Sequence, residues 1–236
     1  MRKLLLAAAL LGCMGFGHGG GTPNPPRAIV LGITNYTTDV ASPASPVFTF
    51  THVVNAAATY TVVAFNLSTV DSTVNTITSV TLGGQAMTMR GTVGLNQTHT
   101  SHIYSLANPP TGSKSIVITA TFNDVNTRAG IAATAIDLMG VSTVGTATTG
   151  DSNGTTASVS VASSNMGLVV NATGVDNNPT VATVGTGSTQ RQNQIYAQSS
   201  RIGLVGTTEA RGTPIVPTWS FDGAASWRMV AVSFNP

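Results

Sequence analysis

Alternation of apolar and polar positions with a period of two dominates this chain. In residues 114–122, Ile116, Ile118, Ala120 and Phe122 fall on one face, and Ser115, Val117, Thr119 and Thr121 on the other. That is the pattern of a strand with one buried face. Residues 158–161 and 167–172 alternate in the same way. Residues 60–65 and 227–234 are apolar on both faces, which predicts interior strands covered on both sides. Helix signals are weak: Glu209 is the only glutamate, Lys3 and Lys114 are the only lysines, and Thr and Val dominate. β-branched side chains lose rotamer freedom in a helix and pack well on a pleated sheet.

Glycine and proline punctuate these runs at short intervals. Gly83-Gly84 lies between Val80-Thr81-Leu82 and Met87-Thr88-Met89, the arrangement of a two-residue hairpin turn that needs positive φ. Residues 108–112, 150–154, 176–179 and 222–223 read as further turns. Many short strands between such turns predict an all-β fold, a large antiparallel β-sandwich of jelly-roll type over residues 27–236. Two halves, residues 27–141 and 151–236, echo one another. Ile103 and Ile202, Thr119 and Thr218, and Phe122 and Phe221 each stand 99 residues apart, and the stretch between Val141 and Asp151 is the natural seam.

The first 12 residues do not belong to this pattern. Arg2 and Lys3 precede an apolar run from Leu4 to Leu11, then Gly12 and Cys13, the only cysteine of the 236 residues. Two cations, a short apolar run and a small residue form an export signal, and the run falls short of the roughly 20 residues that span a bilayer. The segment Leu10-Leu11-Gly12-Cys13 resembles the lipobox of bacterial lipoproteins. That resemblance implies lipidation of Cys13, which becomes the new N-terminus, and attachment to a membrane. The other reading is an ordinary signal peptide cut within residues 15–21, with Cys13 discarded and the protein secreted. Residues 13–26 then serve as a Gly- and Pro-rich tether. With no cysteine pair, the fold holds without disulfides in an oxidising compartment.

Export changes the charge argument. Losing Arg2 and Lys3 from the 10 Lys+Arg leaves 8 against 8 Asp+Glu, so the pI near 9.0 belongs to the leader. A nucleic-acid partner is excluded on that ground, because no basic patch survives. The charged fraction is only 8%, against a usual level near 25%, so Thr, Ser, Asn and Gln must cover the exterior. With 42% apolar residues, there is ample material for a core and no case for disorder.

Candidate chemistry is sparse. His99 and His102 stand at i and i+3, on opposite faces of a strand, so they do not converge on a metal. Residues 151–154 (Asp-Ser-Asn-Gly) resemble the opening of a calcium loop but lack its later ligands, and they read as a plain turn. Neither a nucleophile elbow nor a phosphate loop occurs. No catalytic residue, metal or cofactor is therefore assigned, and the chain is read as a non-enzyme. Ligand binding is assigned to Tyr196 as an exposed ring in the polar stretch 190–200, with Gln194 beside it, and to Trp227 at a rim. Trp219 and Phe221 read as core.

Three segments carry a broader resemblance: residues 80–88 (VTLGGQAMT), 104–112 (YSLANPPTG) and 226–232 (SWRMVAV). They look like a diffuse group of β-sandwich domains found in bacterial exported proteins and in phage tail or fibre proteins. The resemblance implies an architecture and transfers no site residues. The expectation is a non-catalytic lipoprotein at the cell surface or outer membrane, or secreted. It would act in adhesion, contacting glycans or a surface protein. The alternative is a self-associating structural subunit of an extracellular filament or phage virion.

Overall fold

The computed structural model describes residues 27–41, 46–69, 75–94, 98–122, 128–176, 181–196 and 201–236. These residues form strands and turns without a helix. The first half contains β1 (Ile29–Ala41), β2 (Val47–Val54), β3 (Tyr60–Thr69), β4 (Asn75–Leu82), β5 (Gln85–Ala86), β6 (Thr88–Val93), β7 (His99–Ala107), β8 (Gly112–Phe122) and β9 (Arg128–Met139). The second contains β10 (Thr143–Val144), β11 (Thr148–Ser158), β12 (Leu168–Asp176), β13 (Ala182–Val184), β14 (Ser188–Tyr196), β15 (Arg201–Glu209) and β16 (Thr218–Asn235).

Three antiparallel sheets stack on one another. The outer sheet runs β2-β8-β4-β5, the central sheet β1-β9-β3-β7-β6, and the C-terminal sheet β10-β16-β12-β15-β14 with β11 and β13 also on β16. A first core, built on Phe48, Phe50, Phe65, Ile116 and Ile118, lies between the outer and central sheets. A second, built on Val169, Leu204, Trp219, Phe221 and Met229, lies within the C-terminal half. The third joins the halves: Val62, Ile103 and Ile136 of the central sheet meet Val170, Val232 and Phe234 of the C-terminal sheet. β3 therefore buries Val63 and Phe65 toward one core and Val62 and Ala64 toward another. That double coverage is why its sequence is apolar at successive positions rather than alternating.

β16 folds back on itself. Trp219 donates its indole N–H to Asn171 Oδ1 at 2.9 Å, while Ala231 pairs directly with Asn171. Residues 12 apart can share one neighbour only if the chain reverses between them, and the reversal falls at residues 222–225. The first part of β16 pairs with β13 and the end of β11, and the second part pairs with β12 and the start of β11. The order of pairing thus matches that of β8 with β4 and β2, and of β9 with β3 and β1. The 99-residue spacing does not carry over residue by residue. Phe122 and Phe221 each close an outer core, but Ile103 faces the third core and Ile202 the second.

Turn chemistry follows the sequence at Gly83 and Gly84, whose φ values are +56° and +81°. Residues 150–154 depart from it: expected as a turn, they lie in β11, paired with Ala225 to Met229 of β16. The second part of β16 gives this polar segment a partner strand, and ladder hydrogen bonds outweigh its local preference. Trp219 is the largest fully buried side chain. Trp219→Ala is expected to lower stability by about 3–5 kcal/mol in urea unfolding, combining a cavity with an orphaned Asn171 carboxamide.

Strand register separates the two ends of the molecule. Ile29 pairs with Met139, and Leu168 with both Glu209 and Phe234. Ala28 donates to the Met166 carbonyl, so Arg27 and the C-terminal end of β16 share one end, here termed the entry end. At the other, Ala41 pairs with Arg128, Ser68 with His99, Asp176 with Ser226 and Tyr196 with Arg201. We call it the loop end.

Candidate functional site

The structure disperses the binding residues expected from sequence. Tyr196 was expected as an exposed ring and is instead buried at 3% exposure. Its hydroxyl donates to the Asn66 carbonyl at 2.9 Å across the junction of the halves. Gly203 makes the room, since a Cβ there would collide with that hydroxyl. Trp227 is likewise buried, in the second core. Gln194 is half-buried and its carboxamide donates to the neighbouring Ile195 carbonyl. β12 and β15 stand between Trp227 and the strand that carries Tyr196 and Gln194. The stretch 190–196 is a seam: Gln192 accepts from Thr134 and donates to the Tyr36 carbonyl, tying β14 to the edge of the central sheet. Cys13 and the turn expected at residues 176–179, beyond Asp176, lie outside the described residues.

Two polar networks that sequence reasoning missed occupy the interior. In the first, β2 points His52 inward beyond Phe48 and Phe50, and β9 presents Asp137 from an apolar run. His52 Nε2 donates to Asp137 Oδ1 at 3.0 Å, and Nδ1 lies 2.8 Å from the Thr34 hydroxyl. A carboxylate only accepts, so the proton of this bond sits on Nε2. Asp137 also accepts from the Thr61 hydroxyl at 2.6 Å and from the Asn55 backbone N–H at 2.7 Å. Burial raises the Asp137 pKa, but hydrogen bonds from His52, Thr61 and Asn55, with the His52 charge, outweigh it and hold the carboxyl below its usual value. Hydroxyl, imidazole and carboxylate follow one another as in a nucleophile–base–orienter chain. However, Thr34 lines none of the three clefts described below. The arrangement works as a pin between the outer and central sheets.

The second network lies at the loop end, where the two halves meet. His99 opens β7, Asp176 closes β12, Arg201 opens β15, and Arg228 follows the fold-back of β16. Arg201 Nε lies 3.1 Å from Asp176 Oδ1, and its terminal nitrogen donates to the Ser68 hydroxyl at 3.2 Å and to the Thr69 carbonyl. A guanidinium nitrogen of Arg228 lies 2.6 Å from His99 Nε2. Desolvation, reinforced by Arg228 and only partly opposed by Asp176, pushes the His99 pKa down to about 3. The ring is neutral and able to accept. His102 points the other way, stacking on Phe65 with ring centroids 4.8 Å apart, and burial takes its pKa to about 3 as well.

In front of Arg228 is a cleft of about 250 Å³, lined by Asp151, Ser152, Asn153, Ser226 and Arg228. Two larger clefts lie at the entry end. One, of about 400 Å³, is walled by hydroxyls of Thr146, Thr148, Ser163 and Ser164. The other, of about 330 Å³, has Arg27 and Arg211 sharing Glu209 at its rim. Among the described residues no group of three His, Cys, Asp or Glu is placed to hold a metal ion. No protein-family model matches the chain, and no curated protein or solved structure matches it.

Proposed function

We propose that this chain is an exported, lipid-anchored β-sandwich that acts without turnover as a surface adhesion or binding module, contacting glycans through its loop end. The observation that carries the reading is the separation of ends. The chain leaves residues 1–26 at Arg27, next to the C-terminal end of β16, and the His99–Arg228 network lies at the far end. A tether attached at Cys13 holds the entry end toward the membrane and turns the loop end outward. The neutral, hydroxyl-rich exterior suits that setting, because it offers hydrogen bonds without a strong field. The mass spectrum of the N-terminus from a bacterial host tests the reading. An acylated Cys13 is expected, and an intact Met1 on the mature protein would overturn it.

A second reading, a self-assembling subunit of a filament or virion, has one specific observation behind it. β2 is the terminal strand of the outer sheet, and it exposes Val47 at 58% and Val53 at 67%. Its eight residues include no Lys, Arg, Asp, Glu or Pro, the usual devices that keep an edge from pairing with another copy. On this reading sedimentation shows concentration-dependent association that Thr51→Lys abolishes. A monomer at every concentration would dismiss it.

A further inference from the structure

We propose that the loop-end cleft between β11 and β16 is a binding site for one neutral, polyhydroxylated ring, the terminal sugar of a glycan. The inference rests on the surface-binding reading above and names the site that would serve it.

The cleft is built by cross-strand register. Asp151 pairs with Arg228 and Asn153 with Ser226, and directly opposed residues share one face of a sheet. That face is the one whose continuation, Val230, Val232 and Phe234, packs against the central sheet in the third core. Where the central sheet ends at Gly94 and His99, the face emerges and the polar residues replace the apolar ones. Gly94 is needed at that step: a Cβ there would lie 2.6 Å from Arg228 Cδ, and its φ of +83° already favours glycine. The arginine stem lies over this glycine, and its guanidinium is steadied from behind by the neutral His99 ring, with Arg201 and Asp176 beyond. Arg228 is therefore positioned before any ligand arrives, and this lowers the ordering cost of binding.

The lining selects the ligand class. Asp151 only accepts hydrogen bonds, Arg228 only donates them, and Asn153, Ser152 and Ser226 do both. Vicinal hydroxyls, each a donor and an acceptor at close spacing, match such a set. The facing charges of Asp151 and Arg228 disfavour ions of either sign, since an anion meets Asp151 and a cation meets Arg228. A volume of about 250 Å³ lies below the range of drug-sized pockets and accommodates a single ring. Among the described residues no aromatic side chain lines the cleft, so each site binds weakly, and many copies on one surface would supply avidity.

The test uses the full chain, purified in detergent, titrated by NMR with methyl glycosides of glucose, galactose, mannose and N-acetylglucosamine. At least one is expected to bind with a millimolar Kd. Asp151→Ala and Asn153→Ala, both at exposed positions, are expected to weaken it by about tenfold or more with an unchanged melting temperature. If a sugar binds and these variants bind equally well, the site is wrong while the surface-binding reading stands. Preference for glucuronic acid or glucosamine would overturn the neutral-ring assignment. If none of these sugars binds, the proposal fails; acylation of Cys13 and display on cells then judge the wider reading separately.

Discussion

Acidification below pH 6.5 is expected to unfold this protein before most of its carboxylates are protonated. His99 and His102 are both buried, and burial brings each pKa from 6.5 to about 3. An unfolded chain binds a proton at each ring as the pH drops past 6.5, whereas the folded chain does not until about pH 3. Stability is therefore complete above pH 6.5 and falls as acid is added, by about 1.4 kcal/mol per pH unit for each histidine. By about pH 4.5 the pair removes roughly 5 kcal/mol, which matches the lower end of the 5–15 kcal/mol typical of a domain. Urea midpoints measured from about pH 7.5 to about pH 4 should fall steadily. The His102 ring nitrogens lie 2.9 Å from the Thr92 hydroxyl and 2.7 Å from that of Thr100; His102→Gln keeps groups able to bond to both and should halve the slope. A flat profile would show that the rings are charged or exposed in the folded state.

Asp137→Ala is expected to be severely destabilising. It strips His52, Thr61 and Asn55 of a shared acceptor where His52, Thr61 and Asp137 are all buried, and breaking such a buried pair costs about 3–5 kcal/mol. The carboxyl has a lowered pKa in the fold, so its contribution is present above the ordinary carboxylate range and disappears as the pH falls through the folded value. The variant should therefore be less stable at neutral pH and should lose part of the steepness at the acid extreme. A double-mutant cycle with His52→Ala separates the pair from its surroundings. A coupling near zero would mean that Thr61 and Asn55, not His52, hold the carboxylate.

Strand identity was legible in the sequence because it depends on neighbours two positions away. Alternation placed Ile116, Ile118, Ala120 and Phe122 on one buried face, and all four are buried together. Apolar runs marked β3 and the second part of β16 as interior. The fate of polar residues was not legible, since it is decided by partners far along the chain. His52 meets Asp137 across 85 residues, and Arg228 meets His99 across 129. Tyr196 looked exposed among glutamines and an asparagine because nothing local reveals that Gly203 leaves space for its ring. One signal was available: Asp137 is the single charge in residues 129–141, where Thr134 is the only other polar side chain, and a carboxylate there must have a buried partner. The cleft gave no such signal, because Asp151 and Arg228 become neighbours only when β11 pairs with β16, far along the chain.

The direction of β1 also has a mechanical consequence. This strand begins just after Arg27 and runs to the loop end, bonded along nearly all of its length to β9. On the proposed anchoring through Cys13, tension between the anchor and a ligand held at the far end would act along that strand. It loads the whole ladder of hydrogen bonds in shear, so the bonds must fail together and cannot be peeled apart one at a time.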